Sequence, residues 1–391
     1  MQQTVMVRYG ELFLKSEPVM QHYIRILRRN LGRALEAAEI PHSIEEHRGR
    51  LFINTDDPDR AAAAALLFGV VSTSIAYRCE PTPASLAEAA VRCVAESGRR
   101  KGTFAVRARR EGVSGFTSQE LGATIGSAII QHFPDLTVDL TNPEYEVFVE
   151  ARKYGGFVTD RFFQGPGGLP LGTQGKAVCL LSAGIDSPVA AWLMMRRGTE
   201  IVFLHMDGGR YAGADTKTDS RKHAAALSRH CMGMPLSLIE VPMGPFFEAL
   251  ATLPDPRFTC LLCKRFMLRI AERIGSAEGC MAIVNGDNLG QVASQTLQNL
   301  SVVSPAATLP ILRPLLTYDK VEVIELARSI RTYIERPGDH ACLAVPKKPA
   351  THATNAEVEE LEATLPLQDL IKKAVAGAAR ITALSGSIID G

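Results

Sequence analysis

Small polar side chains cluster where a buried strand gives way to a helix. The stretch reads Ser182-Ala-Gly-Ile-Asp-Ser187 and is followed by Pro188. The first turn of a helix offers free N–H groups and the positive end of the helix dipole, so an anion can bind there. We expect Ser187 to cap the helix and Pro188 to take its first position. The hydroxyl groups and Gly184 predict a loop that closes around phosphate oxygens, although the sequence has no Walker-type motif.

Two of the eight cysteines, Cys260 and Cys263, are spaced as a C-x-x-C motif. The last cysteine, Cys342, stands two residues after His340. In a long chain with no secretion signal, clustered cysteines favour metal or sulfur chemistry over a disulfide framework. With His340 the three thiols could form a closed zinc site. Alternatively, Cys260 and Cys263 could be a redox dithiol beside a nucleophilic Cys342.

A basic stretch is the third feature that could carry a function. The stretch contains Arg92, Arg99, Arg100, Lys101, Arg107, Arg109 and Arg110, with Glu96 as its one acid. A solvated charged surface explains most such stretches, and a surface that contacts phosphates is the more specific alternative. The formal net charge of the whole chain is only +1, so the protein as a whole is not a polybasic nucleic-acid binder.

Length and composition describe a globular protein of two or three domains, since the chain has 391 residues. The hydrophobic share of 46% and the charged share of 22% exclude a mainly disordered chain. No apolar stretch approaches the roughly 18 residues that a membrane span needs, and the N-terminus does not resemble a signal peptide. We therefore expect a cytoplasmic protein with no membrane partner.

The hydrophobic pattern divides the N-terminal part into two α+β segments. In the first, the expected order is strand Thr4–Val7, helix Glu17–Ala38, a strand ending at Ile53, helix Arg60–Leu67 and strand Val70–Tyr77. In the second, it is helix Ser85–Ser97, strand Thr103–Ala108, helix Ser118–Phe133 and strands Thr137–Asp139 and Glu146–Ala151. A stretch rich in glycine and proline follows and predicts a linker.

The C-terminal part begins with a β-α-β pattern. Its elements are strand Lys176–Leu181, helix Pro188–Arg197 and strand Glu200–His205. This order predicts a parallel sheet that binds its ligand at the carboxyl ends of the strands.

Several motifs together resemble a known enzyme family. They are Arg8-Tyr-Gly-Glu-Leu-Phe-Leu-Lys15, Gly167-Gly-Leu-Pro-Leu-Gly172, the loop Ser182–Ser187, Gly286–Thr296, Arg313-Pro314 and Asp319-Lys320. The loop is similar to the pyrophosphate loop (PP-loop) of ATP pyrophosphatases, with Ala183 where that superfamily usually has glycine. The combination resembles the tRNA 4-thiouridine synthetases (tRNA sulfurtransferases) over essentially the whole chain. The resemblance implies an N-terminal ferredoxin-like domain (1–77), a THUMP RNA-binding domain (78–165), a linker (166–175) and an α/β PP-loop parallel-sheet domain (176–391).

The resemblance also implies a reaction: ATP-dependent adenylation of uridine 8 of tRNA at O4, then replacement of that oxygen by sulfur. The implied ATP contacts are Leu180, Leu181, Ser182, Gly184, Asp186, Ser187, His205, Met206, Arg265, Gly286 and Gln295. We assign Asp186 to Mg²⁺, which prefers hard oxygen ligands. Lys264, together with Arg265, is expected to neutralise charge on the departing pyrophosphate. Cys342 matches the family's sulfur-transfer cysteine, so Asp186, Lys264 and Cys342 are the expected catalytic residues.

The source of the sulfur follows from the same resemblance. Many members carry a further rhodanese domain that supplies persulfide sulfur, and this sequence ends at Gly391, so we expect sulfide or an external donor. Cys260, Cys263 and Cys342 resemble the ligands of the archaeal iron–sulfur members, in which three thiolates hold a [4Fe–4S] cluster and one iron stays open. The zinc site and the thiol or persulfide route remain alternatives.

Two other functions are compatible with parts of the sequence. One is a PP-loop enzyme that adenylates a small molecule. The other is a THUMP RNA-binding protein with a degenerate ATP site, which Ala183 alone supports. The THUMP resemblance makes the basic stretch from Arg92 to Arg110 a candidate tRNA contact. Dimers are common in the family, so the resemblance also allows a homodimer.

Overall fold

The computed structural model describes residues 2–47 and 49–389, and the chain forms two compact units, Met1–Gly168 and Leu169–Gly391. In the first unit the strands are β1 (Gln2–Tyr9), β2 (Ser43–His47), β3 (Arg50–Asn54), β4 (Val70–Cys79), β5 (Gly102–Glu111), β6 (Leu136–Val138), β7 (Tyr145–Arg152), β8 (Gly155–Thr159) and β9 (Phe163–Gln164). Its helices are α1 (Glu17–Ala37), α2 (Pro58–Ala64), α3 (Pro83–Ser97) and α4 (Ser118–His132).

One sheet runs through the whole first unit, in the order β2-β3-β1-β4-β8-β7-β5-β6, with β9 also paired to β4. The antiparallel pairing of β4 with β8 joins the two predicted N-terminal segments into a continuous sheet. Local sequence explains the helices: α4 begins with a capping box, in which Thr117 and Glu120 each accept a backbone N–H of the other.

The second unit is an α/β domain with a mostly parallel sheet. Its strands are β10 (Lys176–Leu180), β11 (Glu200–Asp207), β12 (Leu236–Pro242), β13 (Ile283–Val284), β14 (Ile311–Leu312), β15 (Ala379–Leu384) and β16 (Ser387–Ile389). Its helices are α5 (Asp186–Arg196), α6 (Thr216–Ser228), α7 (Gly244–Leu250), α8 (Thr259–Ala277), α9 (Leu297–Val303), α10 (Lys320–Ser329), α11 (Asn355–Ala363) and α12 (Leu367–Ala376). The strand order is β14-β13-β10-β11-β12-β15-β16, and β15 pairs antiparallel with both of its neighbours, β12 and β16.

The core of the second unit lies between the sheet and α8. This helix alternates a buried apolar side, which includes Leu262, Phe266 and Ile270, with charged residues on its other side. The ring of Phe266 stacks on Phe246 of α7 at 3.8 Å between centroids. The packing holds the first two turns of α8, which carry two cysteines and Lys264, within this core.

The predicted linker is hydrogen-bonded at both ends. Within the first unit, the N–H groups of Gly165 and Gly167 donate to Val71 O and Val70 O of β4, at 2.8 and 2.9 Å. In the second unit, Leu169 N–H donates to Arg196 O and Gly172 N–H to Gly198 O, both at 2.9 Å. The boundary between the compact units therefore falls between Gly168 and Leu169.

Two local features differ from the expectations. Strand β8 was not predicted, because its Gly155 and Gly156 weaken the β pattern. The expectation that Ser187 caps α5 is wrong: the helix begins at Asp186, and the Ser187 hydroxyl turns back to accept the Ser182 N–H. In the described part of the chain, no helix is long and apolar enough to cross a membrane.

Candidate nucleotide and sulfur-transfer site

A cavity of about 350 Å³ opens at the carboxyl ends of β10, β11 and β13, the edge of the sheet where a ligand was expected. The predicted ATP contacts on its wall are Leu180, Leu181, Ser182, Asp186, Ser187, His205, Met206, Gly286 and Gln295. Lys264 lies on the same wall. Gly184 and Arg265, two further predicted contacts, are not among the described residues that line it.

The loop between β10 and α5 is held by its own serines. Ser182 N–H donates to Ser187 Oγ at 2.8 Å, and Gly184 N–H donates to Ser182 Oγ at 3.2 Å. Ala183 is buried and is not among the described non-glycine residues with positive φ. Its methyl group therefore fits without backbone strain, which removes the structural support for a degenerate loop.

Gly286 allows the chain after β13 to lie directly against this loop. A Cβ atom at Gly286 would lie 2.8 Å from the Ser187 nitrogen and 2.9 Å from the Asp186 carbonyl carbon, closer than real Cβ contacts. Any larger residue would push the loop away from the strand end. The glycine of the Gly286–Thr296 motif thus has a packing reason as well as a place on the cavity wall.

Asp186 is paired with a cation at the start of another helix. Its two carboxylate oxygens lie 3.0 and 3.1 Å from Lys320 Nζ, and Gln291 Nε2 donates to Oδ2 at 3.3 Å. The side chain of Asp186 is about one quarter exposed, so its oxygens can reach a ligand in the cavity. Lys320 was not predicted as a site residue, although it lies in the Asp319-Lys320 motif.

Asp287 also lines the cavity and was also missed from the sequence. Its carboxylate accepts from Lys264 Nζ at 2.7 Å, Gln295 Nε2 at 3.2 Å and Asn285 Nδ2 at 2.8 Å. Arg313 Nε donates to it at 3.4 Å. Burial favours a higher pKa for Asp287, but the charge and hydrogen bond of Lys264, with the other donors, hold the pKa below its ordinary value. A charged carboxylate therefore positions Lys264 and Gln295.

Two buried acceptor atoms on the wall have no partner among the described residues: His205 Nε2 and Gln295 Oε1. His205 Nδ1 lies 3.0 Å from Leu181 O, which fixes its proton on Nδ1 and leaves Nε2 as an acceptor. Burial lowers the pKa of His205, which favours the neutral ring. Gln295 donates its amide to Asp287, which leaves its oxygen free. A nucleoside, which carries amino and hydroxyl donors, suits these two acceptors.

Arg265 has a different environment from the one expected of an ATP contact. It is 2% exposed, and its guanidinium donates to Glu362 Oε2 at 2.7 Å and to Val302 O at 2.6 Å. Arg269 donates to the same carboxylate at 2.8 Å. Because α8 turns Arg265 away from the cavity while Lys264 faces it, the structure gives Arg265 the position of a core ion pair.

The three cysteines of the predicted metal site lie in one region of the second unit. Cys260 and Cys263 occupy the first turns of α8 and are partly exposed, and Cys342 is exposed. Burial, followed by the neighbouring thiols, raises the pKa of Cys263 to about 12 and raises that of Cys260. In the described residues, no three His, Cys, Asp or Glu side chains are close enough together to hold a metal ion.

His340 is engaged elsewhere. Its Nε2 lies 2.7 Å from Asp219 Oδ2, a carboxylate of α6 that is 1% exposed. A zinc site of three cysteines and His340 is therefore not assembled in the part of the chain that the structure describes.

The basic stretch divides into several environments in the first unit. Arg92 pairs with Glu96 at 2.9 Å and Arg107 pairs with Glu146 at 2.6 Å, so two of its charges are locally compensated. Arg99, Arg100 and Lys101 are exposed in the turn between α3 and β5, and Arg109 and Arg110 are exposed on β5. Arg107 and Arg109 line a groove of about 780 Å³ between β5 and α4, with the exposed apolar residues Ile130, Val138 and Leu140.

These features define a nucleotide-binding α/β domain with a PP-loop, preceded by a ferredoxin-like and THUMP unit, as the sequence predicted. Family profiles match in the same order: the ThiI ferredoxin-like domain over residues 4–74, the THUMP domain over 82–159 and thiamine biosynthesis protein ThiI over 172–367. The chain belongs to the ThiI family of tRNA sulfurtransferases.

Relatives and a solved structure match along nearly their whole length. A probable tRNA sulfurtransferase of Methanosarcina mazei is 39% identical over 380 residues, covering 96% of this chain and 94% of the relative. One from Streptococcus suis is 33% identical, covering 95% and 93%. The crystal structure of a 4-thiouridine synthetase–RNA complex with bound ATP is 30% identical, covers 98% of this chain and 100% of that chain, and has a TM-score of 0.88.

Proposed function

We propose that this chain is an ATP-dependent enzyme that transfers sulfur to uridine 8 of tRNA and forms 4-thiouridine. The observation that carries the proposal is the cavity beside the loop of Ser182–Ser187, which gathers most of the implied ATP contacts on one wall. The match to a 4-thiouridine synthetase that binds RNA and ATP supports the same substrates.

The first step is activation of the uridine. Its O4 oxygen attacks the α-phosphorus of ATP, an O–P bond forms, and the bond to pyrophosphate breaks. Lys264 faces the cavity, where its ammonium group offsets the charge that pyrophosphate gains as it leaves. Asp287 orients that ammonium group, and His205 and Gln295 offer acceptors for the nucleoside.

The second step replaces the activated oxygen. Hydrosulfide attacks C4 of the adenylated uridine, AMP leaves with the former O4 oxygen, and one proton is released. The sulfur keeps its reduced state throughout, so this route needs no reductant. A persulfide on Cys342 would require one, which distinguishes the thiol route from the sulfide route.

Asp186 suits the role of a Mg²⁺ ligand. Mg²⁺ in such sites is usually held by one or two carboxylates together with the phosphates of the substrate. Asp186 presents a partly exposed carboxylate at the start of α5, beside the loop that would hold those phosphates. With Mg²⁺ bound at Asp186, Lys320, which pairs with Asp186 in this structure, would supply a positive charge to the phosphates in addition to that of the ion.

We further propose that the chain is of the iron–sulfur type and that Cys260, Cys263 and Cys342 hold a [4Fe–4S] cluster. The donor set fits in its chemistry, since thiolates are the ligands that such clusters take, and Cys260 and Cys263 both lie in the first two turns of α8. The three thiols are not gathered around one point in the described residues, so cluster binding would have to draw Cys342 toward α8. Metal binding would also deprotonate thiols whose pKa is otherwise raised. Such a cluster would supply an open iron at which hydrosulfide is held.

Iron analysis tests the metal part of this proposal. Protein purified without oxygen is analysed for iron, zinc and acid-labile sulfide, beside Cys263→Ala and a matched control, Cys231→Ala. Cys231 is buried in the short 3-10 helix that follows α6. We expect iron and sulfide in the wild type and the control but not in Cys263→Ala. Zinc in place of iron, or equal iron in all three proteins, would contradict the cluster.

We propose that the first unit binds the tRNA through its phosphates, with the groove beside Arg109 as part of the contact. Arg109 and the turn of Arg99, Arg100 and Lys101 are exposed cations, which suits a backbone contact that is independent of sequence.

A further inference from the structure

The segment that carries Cys342, residues 338–343, is joined to the loop that follows β11. Leu343 N–H donates to Tyr211 O at 2.9 Å, and Gly213 N–H donates to Ala341 O at 2.8 Å. Cys342 itself forms an isolated antiparallel bridge with Ala212. We call residues 338–343 the Cys342 segment. Its backbone is thus tied to a loop whose next residues start α6.

Two glycines make the approach close. A Cβ atom at Gly213 would lie 2.1 Å from Asp339 O, and one at Gly338 would lie 2.1 Å from Asp215 Cβ. Asp339 N–H also donates to Asp215 Oδ2 at 2.9 Å. The two segments therefore lie so close that no Cβ atom fits at Gly213 against the Asp339 backbone or at Gly338 against the Asp215 side chain.

One buried carboxylate fastens the start of this segment to α6. Asp219 Oδ2 accepts the Gly338 N–H at 3.1 Å and contacts His340 Nε2 at 2.7 Å. Its other oxygen accepts from Lys222 at 2.7 Å. Asp219 is 1% exposed, and each of its three partners is a donor, so both carboxylate oxygens accept hydrogen bonds. Hydrogen bonds to a buried charge are among the stronger ones in proteins.

The same face of α6 reaches the phosphate loop. His223, one helical turn after Asp219, has its Nε2 3.1 Å from Ala183 O. Thr216, at the start of the helix, lines the nucleotide cavity. The helix therefore contacts both the loop that would hold the phosphates and the segment that carries the thiol.

We propose that Asp219 is a positioning residue for Cys342: through Gly338 and His340 it fixes the Cys342 segment on α6, beside the nucleotide cavity. The inference rests on the proposed role of Cys342 in sulfur transfer. Asp219 lies outside the cavity wall and acts only through the segment. Its loss should impair the sulfur step while leaving adenylation intact, because His223 still supports the phosphate loop.

The test combines amide hydrogen exchange with steady-state kinetics on the full chain. The variants are Asp219→Asn, His340→Gln, both together, and Lys222→Met as a matched control that removes only the exposed partner of Asp219. We expect exchange of the peptide covering 338–343 to accelerate about tenfold or more in Asp219→Asn. The double variant should exchange no faster than the worse single variant, because both remove the same contact. Lys222→Met should match the wild type.

In the same proteins, kcat for 4-thiouridine formation should fall about tenfold in Asp219→Asn, with KM for ATP and tRNA-dependent pyrophosphate release unchanged. Unchanged exchange in Asp219→Asn would overturn the proposal whatever the activity does. If Asp219→Asn exchanges faster but keeps its kcat, the positioning role would be overturned. The same holds if its pyrophosphate release falls as much as its 4-thiouridine formation. A wild type that forms no 4-thiouridine would refute the proposed function, while exchange would still report whether Asp219 holds the segment.

Discussion

Lys264 Nζ lies 2.7 Å from Asp287 Oδ1 on the wall of the nucleotide cavity. The same carboxylate accepts from Gln295, whose oxygen has no hydrogen-bond partner among the residues that the structure describes. A single buried carboxylate thus orients both the Lys264 ammonium group and the Gln295 amide. If these two groups serve the activation step as proposed, Lys264 and Asp287 should act as one unit.

Substitution of either partner should slow activation. We expect Lys264→Met and Asp287→Asn each to lower tRNA-dependent pyrophosphate release by about a hundredfold, the usual effect of removing an electrostatic contact to developing charge. The double variant should be close to the slower single variant. Lys372→Met, an exposed lysine of α12, is the control. Strictly multiplicative losses in the double variant would show that the two residues act independently.

The position of Asp186 predicts a specific loss of metal-dependent activation. Asp186→Asn should reduce pyrophosphate release by at least about a hundredfold and raise the Mg²⁺ concentration needed for half-maximal rate. Binding of tRNA, measured by filter retention, should stay at the wild-type level. An unchanged Mg²⁺ requirement would assign the ion to other ligands.

Arg265 should matter for stability rather than for ATP. Arg265→Met leaves the buried carboxylate of Glu362 with Arg269 as its remaining partner, and we expect a loss of about 3 kcal/mol in the free energy of unfolding. Urea unfolding can be followed through Trp192, the single tryptophan, which lies in the second unit. The KM for ATP should not change. A raised KM with unchanged stability would restore Arg265 as an ATP contact.

If the first unit contacts tRNA phosphates through Arg109, substitution of Arg109 should change how tRNA affinity depends on salt concentration. Arg109→Glu should weaken tRNA binding by about tenfold and reduce the slope of log affinity against log salt by about one. Arg60→Ala is a control, because Arg60 pairs with Asp57 at 3.2 Å in the same unit. Pyrophosphate release at saturating tRNA should be unaffected. Equal weakening in the two variants would point to general electrostatics instead of a defined contact.

The Asp219 carboxylate predicts a pH dependence of stability. Burial favours a higher pKa, but the bonds from Lys222, Gly338 and His340 lower the pKa of Asp219 from 3.8 to about 2. The pKa of Asp219 is lower in the folded state than in the unfolded state. The charged carboxylate therefore contributes about 2 kcal/mol to the free energy of unfolding above pH 4, and this contribution is lost as pH falls toward 2. The difference in unfolding free energy between wild type and Asp219→Asn should therefore shrink below about pH 4. A difference that stays constant down to pH 3 would contradict this assignment.

Periodicity predicted most elements as far as β11 because each has a strong local pattern, and no element after β11 was predicted. Helix α1 was expected at Glu17–Ala38 and lies at Glu17–Ala37. Strand β8 was missed because two of its five residues are glycines, and its place is set by pairing with β4 and β7. The continuous sheet of the first unit depends on that pairing, which no local pattern reveals.

Some residues of the site could also be predicted from local sequence, and others could not. The loop of Ser182–Ser187 was predictable because its residues are adjacent in sequence. Asp287 and Lys320 were missed as site residues because their partners, Lys264 and Asp186, are far away in the chain. Arg265 shows that adjacency in sequence can also mislead. It neighbours Lys264, so the two were expected to share a role, but the helix directs their side chains to different surroundings.

The central claim is tested most directly by thiolation of unmodified tRNA. Full-length protein, purified and reconstituted without oxygen, is given Mg-ATP and sulfide, and 4-thiouridine is followed by absorbance and located by mass spectrometry. We predict 4-thiouridine at nucleotide 8, one AMP and one pyrophosphate for each sulfur incorporated, and no product with Asp186→Asn. Tight tRNA binding with no ATP cleavage under these conditions would contradict the account and leave an RNA-binding protein.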